Sequence, residues 1–196
     1  IIMDIHNLPK EALFILLLQL DPRELKTVAL SSNKKIREIC SSKYFQEIYK
    51  PKHRDWYICN EIWNSETMIF ILYGNSYEKG KKIVDLFNLE FGYMNEFPLP
   101  FLEQGHIGGG YYRRTMNVDL MMSDHFFIRK NNLDNLDGGK IKELVHGDIF
   151  TLADRMLGIT RNSRRRKLLI LTQKDPSNTI FNTEAGLRAR TKCISI

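Results

Sequence analysis

The stretch LPKEALFILLLQLDPRELKTVALSSNKKIREICSSKYFQEIY, residues 8–49, decides the fold of the N-terminal part of this chain. Pro9 suits the first position of a helix, where its missing N–H has no helical partner to lose. Asp21 precedes Pro22, and a residue before proline is pushed out of the helical region. Between them, four leucines recur at the spacing of a single helical face: Leu13, Leu16, Leu17 and Leu20. The pattern predicts a first helix that begins near Pro9 and ends before Pro22.

Further short helices are predicted after Pro22. Asp21 can cap a second helix, which ends at the Ser31-Ser32-Asn33 break. Ser32 or Asn33 can cap a third helix, and Ser41-Ser42 begins a fourth short helix or turn that Pro51 closes. The sequence therefore predicts a compact helical domain over residues 3–50.

The first helix is apolar nearly all round, because Phe14, Ile15 and Leu18 lie outside its leucine stripe. A surface helix of a small domain normally keeps one polar face. Either the rest of the chain covers this second apolar face or a partner protein does. The sequence leaves both explanations open.

These residues resemble an F-box. The resemblance covers about a fifth of the 196 residues, and its order and spacing are most like those of F-box proteins encoded by large DNA viruses. The matching positions are Leu8-Pro9, Glu11, the leucine run to Leu20, Asp21-Pro22, Glu24-Leu25, Asn33-Lys34-Lys35-Ile36 and Ile39-Cys40.

F-boxes bind the Skp-type linker of cullin–RING ubiquitin ligases, and the rest of the chain selects a target. The resemblance therefore implies an adaptor in the cytoplasm or nucleus, of a host cell if the protein is viral. The alternative is that the same side chains pack the protein's own core. The residues implied for partner contact are Leu8, Pro9, Glu11, Phe14, Leu16, Leu17, Leu20, Pro22 and Leu25.

A viral structural or assembly role is the alternative function. In that case the F-box-like helices would pack against capsid or other virion proteins, as in a minor capsid protein, and the chain would be found in the virion. Burial of Phe14, Ile15 and Leu18 separates the two functions. If residues 56–175 cover them, ligase recruitment is disfavoured, whereas exposure requires a partner.

The C-terminal part alternates strands and helices after a junction at residues 51–65. This order predicts a small α/β sandwich at residues 66–175, with ferredoxin-like topology as the specific candidate. The chain as a whole is then an α+β protein, and residues 176–196, where the pattern fades, are predicted to be a basic tail. The predicted strands are Thr67–Tyr73, Thr115–Met122, His125–Lys130 and Lys167–Thr172, and the predicted helices are Tyr77–Phe91 and Lys140–Leu157.

Catalytic and metal-binding candidates have unfavourable spacing. The glycine-rich residues 105–110 precede a predicted strand rather than a helix. They match neither the Walker pattern nor the dinucleotide-binding fingerprint. Ser123-Asp124-His125 is only a run of neighbours, whereas catalytic triads are assembled in space. The sequence predicts no catalytic residue, metal or cofactor, and we expect a protein that is not an enzyme. The metal-ligand candidates without compact spacing are His106, Asp124, His125, His146 and Asp148.

Basic charge is concentrated at the C-terminal end, where residues 161–196 hold 9 Lys and Arg against 2 Asp and Glu. This surplus favours a solvated face over a nucleic-acid site, and charges beside a hydrophobic strand also act as gatekeepers against aggregation. No membrane span is predicted, because no apolar run approaches the about 20 residues required. Three scattered cysteines fit a reducing compartment. The candidate anion-binding residues are Arg164, Arg165, Arg166 and Lys167.

Overall fold

The computed structural model describes residues 8–31, 34–105, 123–146 and 166–196. The chain divides into two compact units, Ile1–Ile58 and Cys59–Ile196. The first is helical and the second combines helices with a sheet, so the predicted mixed class is confirmed at that level.

The N-terminal unit is built from consecutive short helices. Asp21 fixes the start of the second of them, because its Oδ1 accepts hydrogen bonds from the N–H groups of Arg23 and Glu24, both at 2.8 Å. Glu24 returns the contact by accepting from the Asp21 N–H at 3.0 Å, which makes a capping box and confirms the predicted cap. The helices are α1 (Lys10–Leu17), α2 (Pro22–Ser31), α3 (Lys34–Ser41), α4 (Lys43–Lys52) and α5 (Arg54–Asn64), which continues into the second unit.

Apolar side chains from α1 to α4 form the core of this unit. Tyr49 is fully buried, and its hydroxyl donates to the Leu20 carbonyl oxygen at 2.9 Å. Burial raises the pKa of Tyr49 well above its ordinary value, so the phenol stays protonated as a donor. The buried residues are Leu13, Leu17, Leu25, Ile36, Ile39, Cys40, Phe45 and Tyr49.

The second unit contains a sheet of five described strands in the order β2-β3-β4-β1-β5. Every described pair in it is parallel. A ferredoxin-like sheet needs antiparallel neighbours, so that prediction is wrong for the described strands. The predicted strand Thr115–Met122 lies outside the described residues. The strands are β1 (Ile69–Tyr73), β2 (Asn95–Glu96), β3 (His125–Arg129), β4 (Lys167–Thr172) and β5 (Thr191–Ser195).

Helices cover the central strands on both faces, as expected where strands are continuously apolar. On one face α6 (Tyr77–Glu90) packs so closely that a side chain added at Gly80 would lie 3.0 Å from Leu171 of β4. On the other face α7 (Gly138–His146) contributes Ile141, Leu144 and Val145 to the largest buried cluster. The positions predicted for β1, α6 and β4 are confirmed, while the predicted α7 continues into residues outside the described part.

Residues 176–196 are folded, which corrects the prediction of a basic tail. They contain a 3-10 turn (Pro176–Asn178), α8 (Ile180–Thr183), α9 (Ala185–Arg188) and β5. Phe181 and Leu187 are fully buried against the sheet. Helices of four residues are too short to show a helical period, and this is why the sequence pattern faded here. The predicted junction, residues 51–65, is also mostly helical, because α4 and α5 run through it.

Candidate partner-binding surface

Helix α1 separates its apolar residues between core and surface. Leu13 and Leu17, one turn apart, are 1% and 3% exposed and face the core. Ile15 and Leu16 are rotated away from them by the helical twist and are 60% and 44% exposed. A short helix with large aliphatic side chains outside its core contact presents an apolar face to solvent or to a partner.

The exposed apolar face continues from α1 onto α4. Phe14 is half-buried and stacks on Tyr44, with ring centroids 5.5 Å apart and planes 25° apart. Tyr44 is 67% exposed, and Ile48, one turn later on the same face of α4, is 39% exposed. We call Phe14, Ile15, Leu16, Tyr44 and Ile48 the apolar strip.

Lysine side chains donate hydrogen bonds to backbone carbonyls at both ends of α1. Lys35 Nζ donates to the Leu8 carbonyl oxygen at 2.6 Å, just before the helix begins. Lys52 Nζ donates to the Leu18 carbonyl oxygen at 2.8 Å, where the helix ends. A cation at a helix C-terminus satisfies unpaired carbonyls and matches the negative end of the helix dipole. The strip is therefore carried by a helix anchored at both ends.

The predicted partner-contact residues fall into two groups. Leu17, Pro22 and Leu25 are buried in the core of the N-terminal unit, so almost none of their surface is left for a partner. A unit this small needs its few large aliphatic side chains for its own core. The residues with exposed or partly exposed surface are Leu8, Pro9, Glu11, Phe14, Leu16 and Leu20.

Sequence reasoning did not assign Tyr44 and Ile48 to the surface that a partner would contact. It did single out Ile15, which lies off the leucine stripe, but left open whether the chain itself or a partner covers it. On α4 the pairs Tyr44/Ile48 and Phe45/Tyr49 both have the i, i+4 spacing of a helical face. Periodicity alone does not indicate which pair turns inward, and the structure places Phe45 and Tyr49 inside.

The predicted anion-binding residues do not form an open basic site. Arg164 and Arg165 lie outside the described residues, and Arg166 is only 4% exposed. Lys167 Nζ donates to the carbonyl oxygens of Ile62, of Trp63 at 3.0 Å and of Ser65 at 2.7 Å. An ammonium group with three carbonyl acceptors has no remaining donor for an anion.

The described residues contain no group of three His, Cys, Asp or Glu side chains placed to hold a metal ion. His106 and Asp148 of the proposed ligand set lie outside that part of the chain. The Ser123 hydroxyl donates to the backbone oxygen of His125, the first residue of β3, at 3.0 Å. Within the described ranges, no helix is both long enough and apolar enough to cross a membrane.

No protein-family model, curated protein or solved structure matches this chain at a significant level.

Proposed function

We propose that the N-terminal helical unit is a protein-docking module of the F-box type, and that the chain is an adaptor rather than an enzyme. Its partner is a Skp-type linker of a cullin–RING ubiquitin ligase. The second unit, with its parallel sheet, then selects the target.

The exposure of Ile15 and Leu16 on α1 is the observation that carries this proposal. Two large aliphatic residues of the helix that matches the start of the F-box motif stay exposed, while Phe14 and Leu18 pack partly against the core of the N-terminal unit. An apolar surface of this kind on a helical unit marks a protein interaction site more often than a free surface. Large aliphatic and aromatic side chains at the centre of an interface supply most of the binding free energy.

Substituting Leu16 with aspartate should weaken binding to a Skp-type linker by roughly tenfold or more, because a charge would be buried in an apolar interface. Binding would be measured by titration calorimetry with the full purified chain. The matched control is Leu30→Asp on α2, since Leu30 is 75% exposed and lies outside the apolar strip. The control should bind as tightly as the wild type.

Two results would contradict the adaptor function. If a well-folded wild type does not bind the linker, the linker is not the partner. If Leu16→Asp and Leu30→Asp weaken binding equally, the apolar strip is not the contact surface. The alternative function, assembly within a virus particle, predicts instead that the strip binds other copies or virion proteins. Sedimentation velocity of wild type and Leu16→Asp distinguishes it, because self-association would then depend on Leu16.

A further inference from the structure

Three rings form an aromatic cluster where β3 begins, within the second unit. The indole of Trp63, at the end of α5, stacks on the imidazole of His125 with centroids 5.3 Å apart and planes 22° apart. Phe87 of α6 lies 5.3 Å from the same imidazole and 6.1 Å from the indole. His125 is therefore in contact with apolar rings from two helices.

Lys167 holds the end of α5 beside this cluster. It is the register partner of His125 on the neighbouring strand β4, so both side chains lie on the same face of the sheet. Its ammonium group donates to the carbonyls of Ile62, Trp63 and Ser65. The carbonyls of Ile62 and Trp63 are in the last turn of α5, where they have no acceptor role left within the helix, and Ser65 directly follows the helix end. A fixed positive charge thus stands next to the imidazole.

The surroundings of His125 favour its neutral form. Burial, and secondarily the charge of Lys167, lower the pKa of His125 from 6.5 to about 4, and Asp124 opposes them. Among the described residues, Lys167 from β4 and Asp124, which directly precedes β3, are the charged groups that act on the imidazole. Glu66, which follows α5, acts on Lys167 instead, and α5 and α6 face His125 with uncharged rings.

We propose that the C-terminal end of α5 is an acid-released latch: when His125 takes up a proton, the Trp63 indole leaves the aromatic cluster and the end of α5 separates from the sheet. Trp63 is the cover that can move, because it is 44% exposed whereas Phe87 is completely buried. Its departure admits water to the imidazolium. Trp63 lies in the part of α5 that belongs to the second unit, as do His125, Phe87 and Lys167.

The direction of the pH effect follows from linkage. His125 has its ordinary pKa of about 6.5 in the released state and the lower pKa in the latched state. Protonation therefore favours release. The latch contributes its full stabilising free energy above pH 6.5, and this stabilisation is lost as the pH falls toward 4. Between pH 7.5 and pH 5 these two values give an increase of about 30-fold in the release equilibrium.

Hydrogen exchange of the full chain tests the latch. After correction for intrinsic exchange rates, amides of residues 60–66 should show an opening equilibrium about 30-fold larger at pH 5 than at pH 7.5. Amides of residues 168–172 in the central strand β4 should show no change. The variant His125→Phe keeps an aromatic ring and removes the titrating group, so its exchange at residues 60–66 should be independent of pH.

A second variant makes the test independent of that one substitution. Lys167→Met retains His125 but removes the neighbouring charge, so its pH-dependent increase should be smaller than that of the wild type. Any of three results would overturn the latch: an unchanged wild type, the same increase in His125→Phe, or an equal increase in residues 168–172, which would indicate general acid unfolding.

Discussion

Replacing Phe45 with alanine should lower the free energy of unfolding of the N-terminal unit by about 3–5 kcal/mol. Phe45 is completely buried. Its ring lies 5.2 Å from Tyr49 in a stacked arrangement and 5.4 Å edge-on from Phe14. Alanine would leave a cavity at the point where α1 and α4 meet. The loss is a large share of the about 5–15 kcal/mol that stabilises a typical domain.

Urea denaturation followed by tryptophan fluorescence measures this effect. In a Trp63→Phe background, Trp56 remains as the reporter and lies in the N-terminal unit. The control is Tyr44→Ala, one residue away but 67% exposed, for which we expect a loss below about 1 kcal/mol. Equal losses in the two variants would contradict the assignment of Phe45 to the core and Tyr44 to the surface.

The same pair of variants separates folding from recognition. Tyr44→Ala removes part of the apolar strip while leaving the core intact, so it should weaken partner binding without unfolding the unit. Phe45→Ala should weaken binding only as far as it unfolds α1 and α4. A strip that is merely part of the protein's own core would show the two effects together.

The sequence predicted the helical unit well because its signals are local. Asp21, Pro22 and Glu24 act on backbone groups within three residues, so the start of α2 follows from chemistry alone. Which face of α1 turns toward the core is not determined by local signals. It depends on which leucines the later helices cover, and Leu16 and Leu17 are equivalent until α3 and α4 are placed.

Strands β1, β3 and β4 were predicted from the sequence, but β2, β5 and the pairing of the strands were not. The run KLLILT at Lys167–Thr172 indicates a strand buried on both faces, and the structure confirms it. Its neighbours β3 and β1 come from distant parts of the chain. Strand direction and order depend on where the connections cross, for which a single sequence carries no local signal.

Lys167 was one of the candidate anion-binding residues, and the structure gives its side chain a different role. In sequence it follows three arginines, which suggested an anion site. In the fold it opens a buried strand, and its flexible side chain reaches the carbonyls of Ile62 and Trp63 in the last turn of α5. A lysine that caps a distant helix has the same sequence appearance as one that binds phosphate, because the acceptor lies about a hundred residues away.

The second large effect is expected from a chain that ends at Arg190. This variant lacks β5, which forms five register pairs with β1. Each backbone hydrogen bond contributes about 1 kcal/mol net, so the second unit should lose about 3–5 kcal/mol. The Ile196 N–H bond to the Tyr73 carbonyl, at 2.9 Å, would also be lost. Urea denaturation of a Trp56→Phe background, with Trp63 as the reporter, measures the change.

A charge-only control decides whether these residues act as a strand or as a basic tail. Lys192 pairs with Glu61 of α5, and both side chains are partly exposed. Lys192→Gln should therefore cost less than about 1 kcal/mol, because the backbone ladder remains. If the truncated chain were as stable as Lys192→Gln, residues 191–196 would contribute only charge, as the sequence pattern had suggested. A loss several times larger would require the hydrogen-bonded edge of β1 to be covered by β5.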